Sequence, residues 1–142
     1  MEGKSKISVK KKKAEKINKI NKKVSLYSAI TCASCAKQED EETTTTTYTL
    51  NANIKVENIA YVKNVFLRCK DSYLNVWKDI PANYSKPLNK DNTYELWDVE
   101  TAFTGKNIEF AIKYDVNGQT YWDNNGGKNY VIKKGESIPK NL

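Results

Sequence analysis

From residue 48 onward, apolar and polar side chains alternate in short runs. Tyr48, Leu50, Ala52, Ile54 and Val56 take turns with Thr49, Asn51, Asn53, Lys55 and Glu57. That is the period of a strand with one face in a core and the other in solvent. Val62 to Cys69 forms a second run, with Val65, Leu67 and Cys69 on one side. Tyr94 to Phe103 forms a third, with Trp97, Val99 and Phe103 on one side. In a fourth, Ile108, Phe110, Ile112, Tyr114 and Val116 alternate with Glu109, Ala111, Lys113 and Asp115. Gly and Pro fall between the runs and no long helical period is sustained. The pattern therefore predicts an all-β chain folded as an antiparallel sandwich.

Asn117-Gly118, between alternating runs, predicts a two-residue hairpin turn in which both central residues take positive φ. The turn fixes a register: Val116 opposite Gln119, Tyr114 opposite Tyr121, Lys113 opposite Trp122, Ala111 opposite Asn124. Tyr114 and Tyr121 then join Ile112 and Phe110 in the core, while Trp122, Lys113, Ala111 and Asn124 share the solvent face. An outward Trp beside a Lys, an Asn and the small Ala111 has two readings. It caps a core edge, as tryptophans commonly do, or it offers a flat ring for stacking. The second would suit a pyranose, whose C–H face needs an apolar ring and whose hydroxyl rim needs Asn, Asp or Lys, in part through water.

Composition separates the chain into unlike parts. It has 142 residues and a formal net charge of +7, with much of the Lys excess between Lys4 and Lys23. An acidic segment, Gln38 to Glu42, and a Thr run, Thr43 to Thr47, follow. The expected organisation is a disordered basic tail over 1–46, a folded domain over 47–133 and a C-terminal tail over 134–142. Ala14 to Val24 has Ile17, Ile20 and Val24 at helical spacing, and a solvated arm is the simpler reading. The high charge thus belongs to the tail; a Lys run could bind nucleic acid or an acidic membrane non-specifically, but without interleaved aromatics no specific nucleic-acid recognition is expected.

Catalysis is not expected either. The absence of histidine excludes Ser-His and Cys-His nucleophile pairs and most mixed zinc sites. Cys32, Cys35 and Cys69 are an odd number, and Cys32-Ala33-Ser34-Cys35 has no second pair to complete a zinc site, so free thiols and no metal or cofactor are expected. Asp98, Glu100, Glu109 and Asp115 lie on predicted strands, mostly facing outward, not as two carboxylates across a cleft. No run reaches the ~20 apolar residues of a membrane span. Val24 to Ala36 follows a basic run and ends in small residues, as a secretory leader would, but Ser and Thr dilute it and the basic region is long. A cytoplasmic protein is the expectation and a secreted one the alternative. Asn83-Tyr84-Ser85, a glycosylation sequon, would be silent in the cytoplasm.

Trp122-Asp123-Asn124-Asn125-Gly126-Gly127-Lys128-Asn129-Tyr130 resembles the signature of carbohydrate-binding module family 21. That family includes starch-binding domains of fungal glucoamylases and glycogen-targeting subunits of type-1 protein phosphatase. Val56-Glu57-Asn58-Ile59-Ala60-Tyr61 and Glu109-Phe110-Ala111-Ile112-Lys113-Tyr114 are similar to two of its strands, and the likeness runs from about Asn53 to Ile132. The resemblance implies an immunoglobulin-like β-sandwich that binds α-glucan, glycogen or starch, at two non-catalytic sites. The first would use Trp77 and Trp122 as rings, with Lys113, Asn124 and Asn129 as polar partners. Ala111 stands where some starch-binding members carry a further aromatic. The second would use Tyr61 and Tyr84, with Asn58, Lys63 and Glu95.

Upstream, Lys22-Lys23-Val24-Ser25-Leu26 resembles the phosphatase-docking motif of the targeting subunits, with Leu26 in place of the aromatic. Such motifs add an extended strand to a sheet edge and seat two apolar side chains in pockets. Lys23, Val24 and Leu26 are thus candidate docking residues for a type-1 phosphatase catalytic subunit. Three readings stay open: a free-standing glycogen-binding protein, a phosphatase-targeting subunit, and a starch-binding module of a secreted amylolytic system.

Overall fold

Ten strands account for the regular structure among the described residues, 22–33 and 47–140 of a computed structural model. They are β1 (Val24–Ala33), β2 (Tyr48–Glu57), β3 (Asn64–Asp71), β4 (Trp77–Pro81), β5 (Asn83–Pro87), β6 (Tyr94–Phe103), β7 (Asn107–Val116), β8 (Gln119–Asp123), β9 (Tyr130–Lys133) and β10 (Ser137–Ile138). One sheet runs β10-β1-β2-β6-β5, the other β4-β3-β7-β8, and β9 pairs the first half of β7 where β8 has ended. All pairings are antiparallel.

The core lies where the alternating runs put it. Leu50, Ala52, Ile54 and Val56 from β2 face Val65, Leu67 and Cys69 from β3 and Ile108, Phe110, Ile112, Tyr114 and Val116 from β7. Burial pushes the Cys69 thiol pKa up, as expected of a thiol used as a small apolar side chain. Tyr114 donates its buried hydroxyl to the Glu57 carbonyl at 2.7 Å, and burial pushes its pKa up to about 12. The Asn117-Gly118 turn has φ of 51° and 71°, and β7 and β8 pair with Val116 opposite Gln119 and Lys113 opposite Trp122.

Two features depart from the sequence expectation. Val24–Ala33 is not tail but strand β1, inside the first sheet between β10 and β2. Its inward residues are Val24, Leu26, Ala29 and Thr31. The pairing with β2 slips between Leu26 and Ser28, so one residue is extra and the inward set changes parity. That bulge erases the period-2 pattern that would have marked a strand. The end of the chain is likewise not all tail, because β10 pairs β1 through Ala29 and Ile138. Val24 is strand, not helix end. The Lys run up to residue 21, the acidic segment and Cys35 lie outside the described residues.

Between β4 and β5 the chain crosses from one sheet to the other along an open edge. β4 lies on the edge of one sheet and β5 on the edge of the other, with only Ala82 between them. Ala82 is buried and its N–H donates to the Val65 carbonyl at 2.8 Å, which pins the crossing to the core.

Candidate functional site

The outer face of the second sheet carries a hollow of about 320 Å³ lined by Arg68, Trp77, Ala111, Trp122, Asn124 and Asn129. Strand register builds it. Trp77 on β4 lies opposite Lys70 on β3, which lies opposite Glu109 on β7. In the next row of this face Asp79, Arg68 and Ala111 align, and in the next Phe66, Lys113 and Trp122. The two tryptophans therefore stand at diagonal corners of a floor whose middle is Arg68 and Ala111. Lys70 Nζ is 5.2 Å from the Trp77 ring centroid and Lys113 Nζ is 5.9 Å from that of Trp122.

Asn124 and Asn129 reach the hollow from the β8–β9 connection. Asn125, Gly126, Gly127 and Asn129 all take positive φ there, the conformation that Gly and Asn tolerate best. The loop closes on itself: Asn129 N–H donates to the Asn124 carbonyl at 2.7 Å and Gly127 N–H to Asn124 Oδ1 at 3.0 Å. Asn129 Nδ2 donates to Glu109 Oε2 at 2.8 Å, which aims its side-chain carbonyl away as an acceptor. Beneath the loop, the buried Asp123 carboxylate accepts from Leu26 N–H at 2.8 Å, Tyr130 hydroxyl at 2.7 Å and Asn125 N–H at 3.2 Å. Burial and the neighbouring Asp123 hold the Tyr130 hydroxyl firmly protonated. Asp123 thereby ties β1 in one sheet to the loop that serves the hollow on the other.

Four of the five residues expected at a first site meet in this hollow. The fifth, Lys113, stands at its flank, beside Asp79 at 3.6 Å and Asp115 at 3.9 Å. Arg68 is the member that sequence reasoning missed. The alternation of Val65, Leu67 and Cys69 does put residue 68 outward. Only the pairing of β3 with β7, which no local signal gives, puts it beside Ala111.

A second hollow, of about 580 Å³, is lined by Asn58, Tyr61, Val62, Lys63, Tyr84, Asn92, Glu95 and Trp97. It holds all five residues expected at a second site and adds Trp97, Asn92 and Val62. Tyr61 projects from the β2–β3 connection and is 97% exposed; Tyr84 on β5 is 51% exposed and meets Trp97 edge-on at 6.0 Å. Among the lining residues, Lys63 and Glu95 pair at 3.3 Å with side chains only 4% and 10% exposed. Trp97 Nε1–H also donates to Glu95 at 3.1 Å, and Asn58 Nδ2 donates to the Asn92 carbonyl at 3.0 Å.

The candidate docking residues are placed differently from the expectation. Val24 and Leu26 are buried in the sandwich, and Leu26 N–H is held by Asp123. Lys23 pairs with Glu57 at 2.7 Å. As folded, the segment has no apolar side chains to offer a partner's pockets. Among the described residues no group of three or more His, Cys, Asp or Glu could hold a metal ion, and no helix is long and apolar enough to cross a membrane.

The sequence profile of the Carbohydrate/starch-binding module (family 21) matches residues 33–133. Glucoamylase 1 of Rhizopus oryzae is 40% identical over 87 residues, 59% of this chain and 14% of that protein. Protein phosphatase 1 regulatory subunit 3B of Homo sapiens is 34% identical over 88 residues, 58% of this chain and 31% of that protein. The chain thus matches less than a third of the length of either relative. Among solved structures, the starch-binding domain of Rhizopus oryzae glucoamylase, in complex with beta-cyclodextrin and maltoheptaose, is similar with a TM-score of 0.57 and 30% identity. That likeness covers 80% of this chain and 95% of the domain. The carbohydrate-binding module of the muscle glycogen-targeting subunit of Protein Phosphatase-1 shares the fold, with a TM-score of 0.58 at 23% identity over 92% of this chain and 86% of that module.

Proposed function

The chain belongs to carbohydrate-binding module family 21, and from that membership we propose that it holds α-glucan, glycogen or starch, at both hollows without altering it chemically. The observation that carries the proposal is the first hollow. Two tryptophans on one outer face flank a polar floor, Trp122 half exposed, with Asn124 and Asn129 presented by a loop that its own hydrogen bonds hold in place. Stacked indoles would desolvate the C–H faces of successive glucose units and the amides would meet their hydroxyls.

The crossing strand supports joint use of the two hollows. Trp77 and Tyr84 belong to one extended stretch and are seven residues apart, so their Cα atoms are at most about 25 Å apart. A branched polymer can engage both, and the second contact is then intramolecular and adds avidity. Pull-down on insoluble glucan tests the proposal. The chain is expected to sediment with the polymer, and Trp122→Ala combined with Tyr84→Ala to stay in solution while folded. Equal sedimentation of a folded double variant would refute it.

The partner follows from the relatives rather than from a surface. We read the chain as a cytoplasmic targeting module that brings a type-1 protein phosphatase to glucan, by a contact other than Val24 and Leu26, since both are core. Co-precipitation of the catalytic subunit by the full chain, and its loss on deleting residues 1–21, is the expected result. No co-precipitation would leave a free-standing glucan-binding protein.

A further inference from the structure

Of the 24 Lys and Arg residues in this chain, a single one is arginine, Arg68. It stands in the middle of the first hollow's floor. Everywhere else a cation is needed, the chain uses Lys. The two differ in chemistry: guanidinium is planar, offers five N–H donors in a fixed fork and stacks on flat apolar faces, whereas ammonium is a compact, strongly hydrated point charge.

The surroundings suit the planar group. Asp79 Oδ1 accepts from Arg68 at 3.1 Å, which orients the fork, and the guanidinium carbon is 5.8 Å from the Trp77 ring centroid. Its neighbour in register on β7 is Ala111, whose lone methyl leaves the space over the floor open. The charge around it is balanced. Arg68, Lys70 and Lys113 are cationic, and Asp79, Glu109 and Asp115 are anionic and pair with them. A balanced floor with a flat multiple donor suits an uncharged polyol rather than a phosphorylated one.

We propose that Arg68 is a direct specificity-determining contact of the first site, donating its fork to adjacent hydroxyls of a neutral glucan lying between Trp77 and Trp122. This rests on the reading of that hollow as a glucan site. Lys113, held at the flank by Asp79 and Asp115, supports the floor and does not supply this contact.

The test isolates the first site in a full chain carrying Tyr61→Ala and Tyr84→Ala, and titrates it with maltoheptaose. Arg68→Ala is expected to weaken binding roughly tenfold, and Arg68→Lys to recover little of it. Because the chain has one arginine, its Nε–H gives one side-chain resonance of that kind, which needs no mutation to read. It is expected to shift and to exchange more slowly with water on saturation. If Trp122→Ala abolishes binding while Arg68→Ala stays within about twofold of its parent and the Nε–H does not move, the role of Arg68 is overturned and the site stands. If Trp122→Ala also binds as its parent does, the site itself is wrong. Tighter binding of a phosphorylated maltooligosaccharide than of the neutral one would overturn the choice of an uncharged ligand.

Discussion

Trp122 stands on a sheet, in the ladder between β7 and β8 and above a floor of paired strands, while Tyr61 leaves the β2–β3 connection with nearly all of its surface in water. The two hollows also place their charges differently. In the first, Arg68, Lys113 and Asp79 lie at the surface beside the rings, with side chains 26% to 42% exposed. In the second, the paired side chains of Lys63 and Glu95 are almost wholly buried. The first hollow therefore has rings placed by strands over a partly exposed charged floor, and the second has a buried charged base and one ring, Tyr61, carried by a connection. Ring placement by a ladder costs the ligand little ordering, whereas ordering Tyr61 must come out of the binding energy.

The largest expected effect follows from the sealed pair. Glu95→Gln leaves the Lys63 ammonium buried without its counter-charge and weakens the acceptor for Trp97. A loss of about 3 kcal/mol of folding stability is expected, read by denaturant unfolding. The matching change in the first hollow, Asp79→Asn, touches partly exposed groups and should cost less than about 1 kcal/mol. If the two substitutions cost the same, the contrast between the hollows is wrong.

Next comes ring removal. Trp122→Ala should weaken glucan at the first site by about 2 kcal/mol, roughly 30-fold, with a melting temperature close to that of the parent. Calorimetric titration with site two silenced measures it. A large drop in melting temperature would instead make Trp122 a cap over a core edge, the reading that strand alternation alone leaves open.

How far the residues alone lead differs in the same way between regions. Where pleat and turn chemistry act locally, as from Ile108 to Trp122, alternation and Asn117-Gly118 are enough to give faces and register. The strand at Val24–Ala33 was hidden because its bulge breaks the alternation that reveals strands. Arg68 escapes notice as a site residue because it enters through the pairing of β3 with β7, strands distant in sequence. Trp97 escapes notice because alternation groups it with the core residues Val99 and Phe103, whereas its pairing with Tyr84 on the edge strand β5 brings it to the second hollow. The Asn/Gly-rich loop after Trp122 is legible for a physical reason: four of its residues need positive φ, and few residue types take it. The docking motif shows the converse hazard. A short basic-apolar string matches by composition, and only tertiary structure shows that Val24 and Leu26 are core.

Acid should act on the first hollow through the turn that precedes Trp77. The Asp71 side chain is buried and accepts from Thr104 N–H at 2.8 Å and from Tyr73 and Gly105 N–H at 2.9 Å, joining the β3–β4 and β6–β7 connections. A Cβ at Gly105 would collide with Ser72 Oγ and with the backbone nitrogen of Tyr73, so only glycine fits there. Burial alone would raise the Asp71 pKa, but the donors from Thr104, Tyr73 and Gly105 outweigh it and hold the carboxyl below its usual range. The folded value is then below the unfolded one, near 3.9, so the contribution is fully present above about pH 4 and is lost as pH falls through the folded value. Asp71→Asn should cost about 1 to 2 kcal/mol at neutral pH, and its difference from the parent should shrink on acidification. A difference independent of pH would show that packing, not the charged carboxylate, joins the two turns.

The smallest effect expected is that of salt, and it separates the hollows by where their charges lie. A neutral glucan displaces few counterions, so neither site should show the steep salt dependence of a polyanion binder. At the first site the Arg68–Asp79 pair that orients the fork is partly exposed. Raising salt from about 0.05 to 0.5 M shortens the screening length to a few ångströms and loosens that pair. Affinity there should fall, but by less than about twofold. The Lys63–Glu95 pair is sealed from the ions, so the second site should not change. Titrations of the two single-site variants at both salt concentrations read the difference. A second site that weakens more than the first would mean that its ion pair opens to solvent when glucan binds, and the contrast between a sealed base and an exposed floor would then hold only for the free protein.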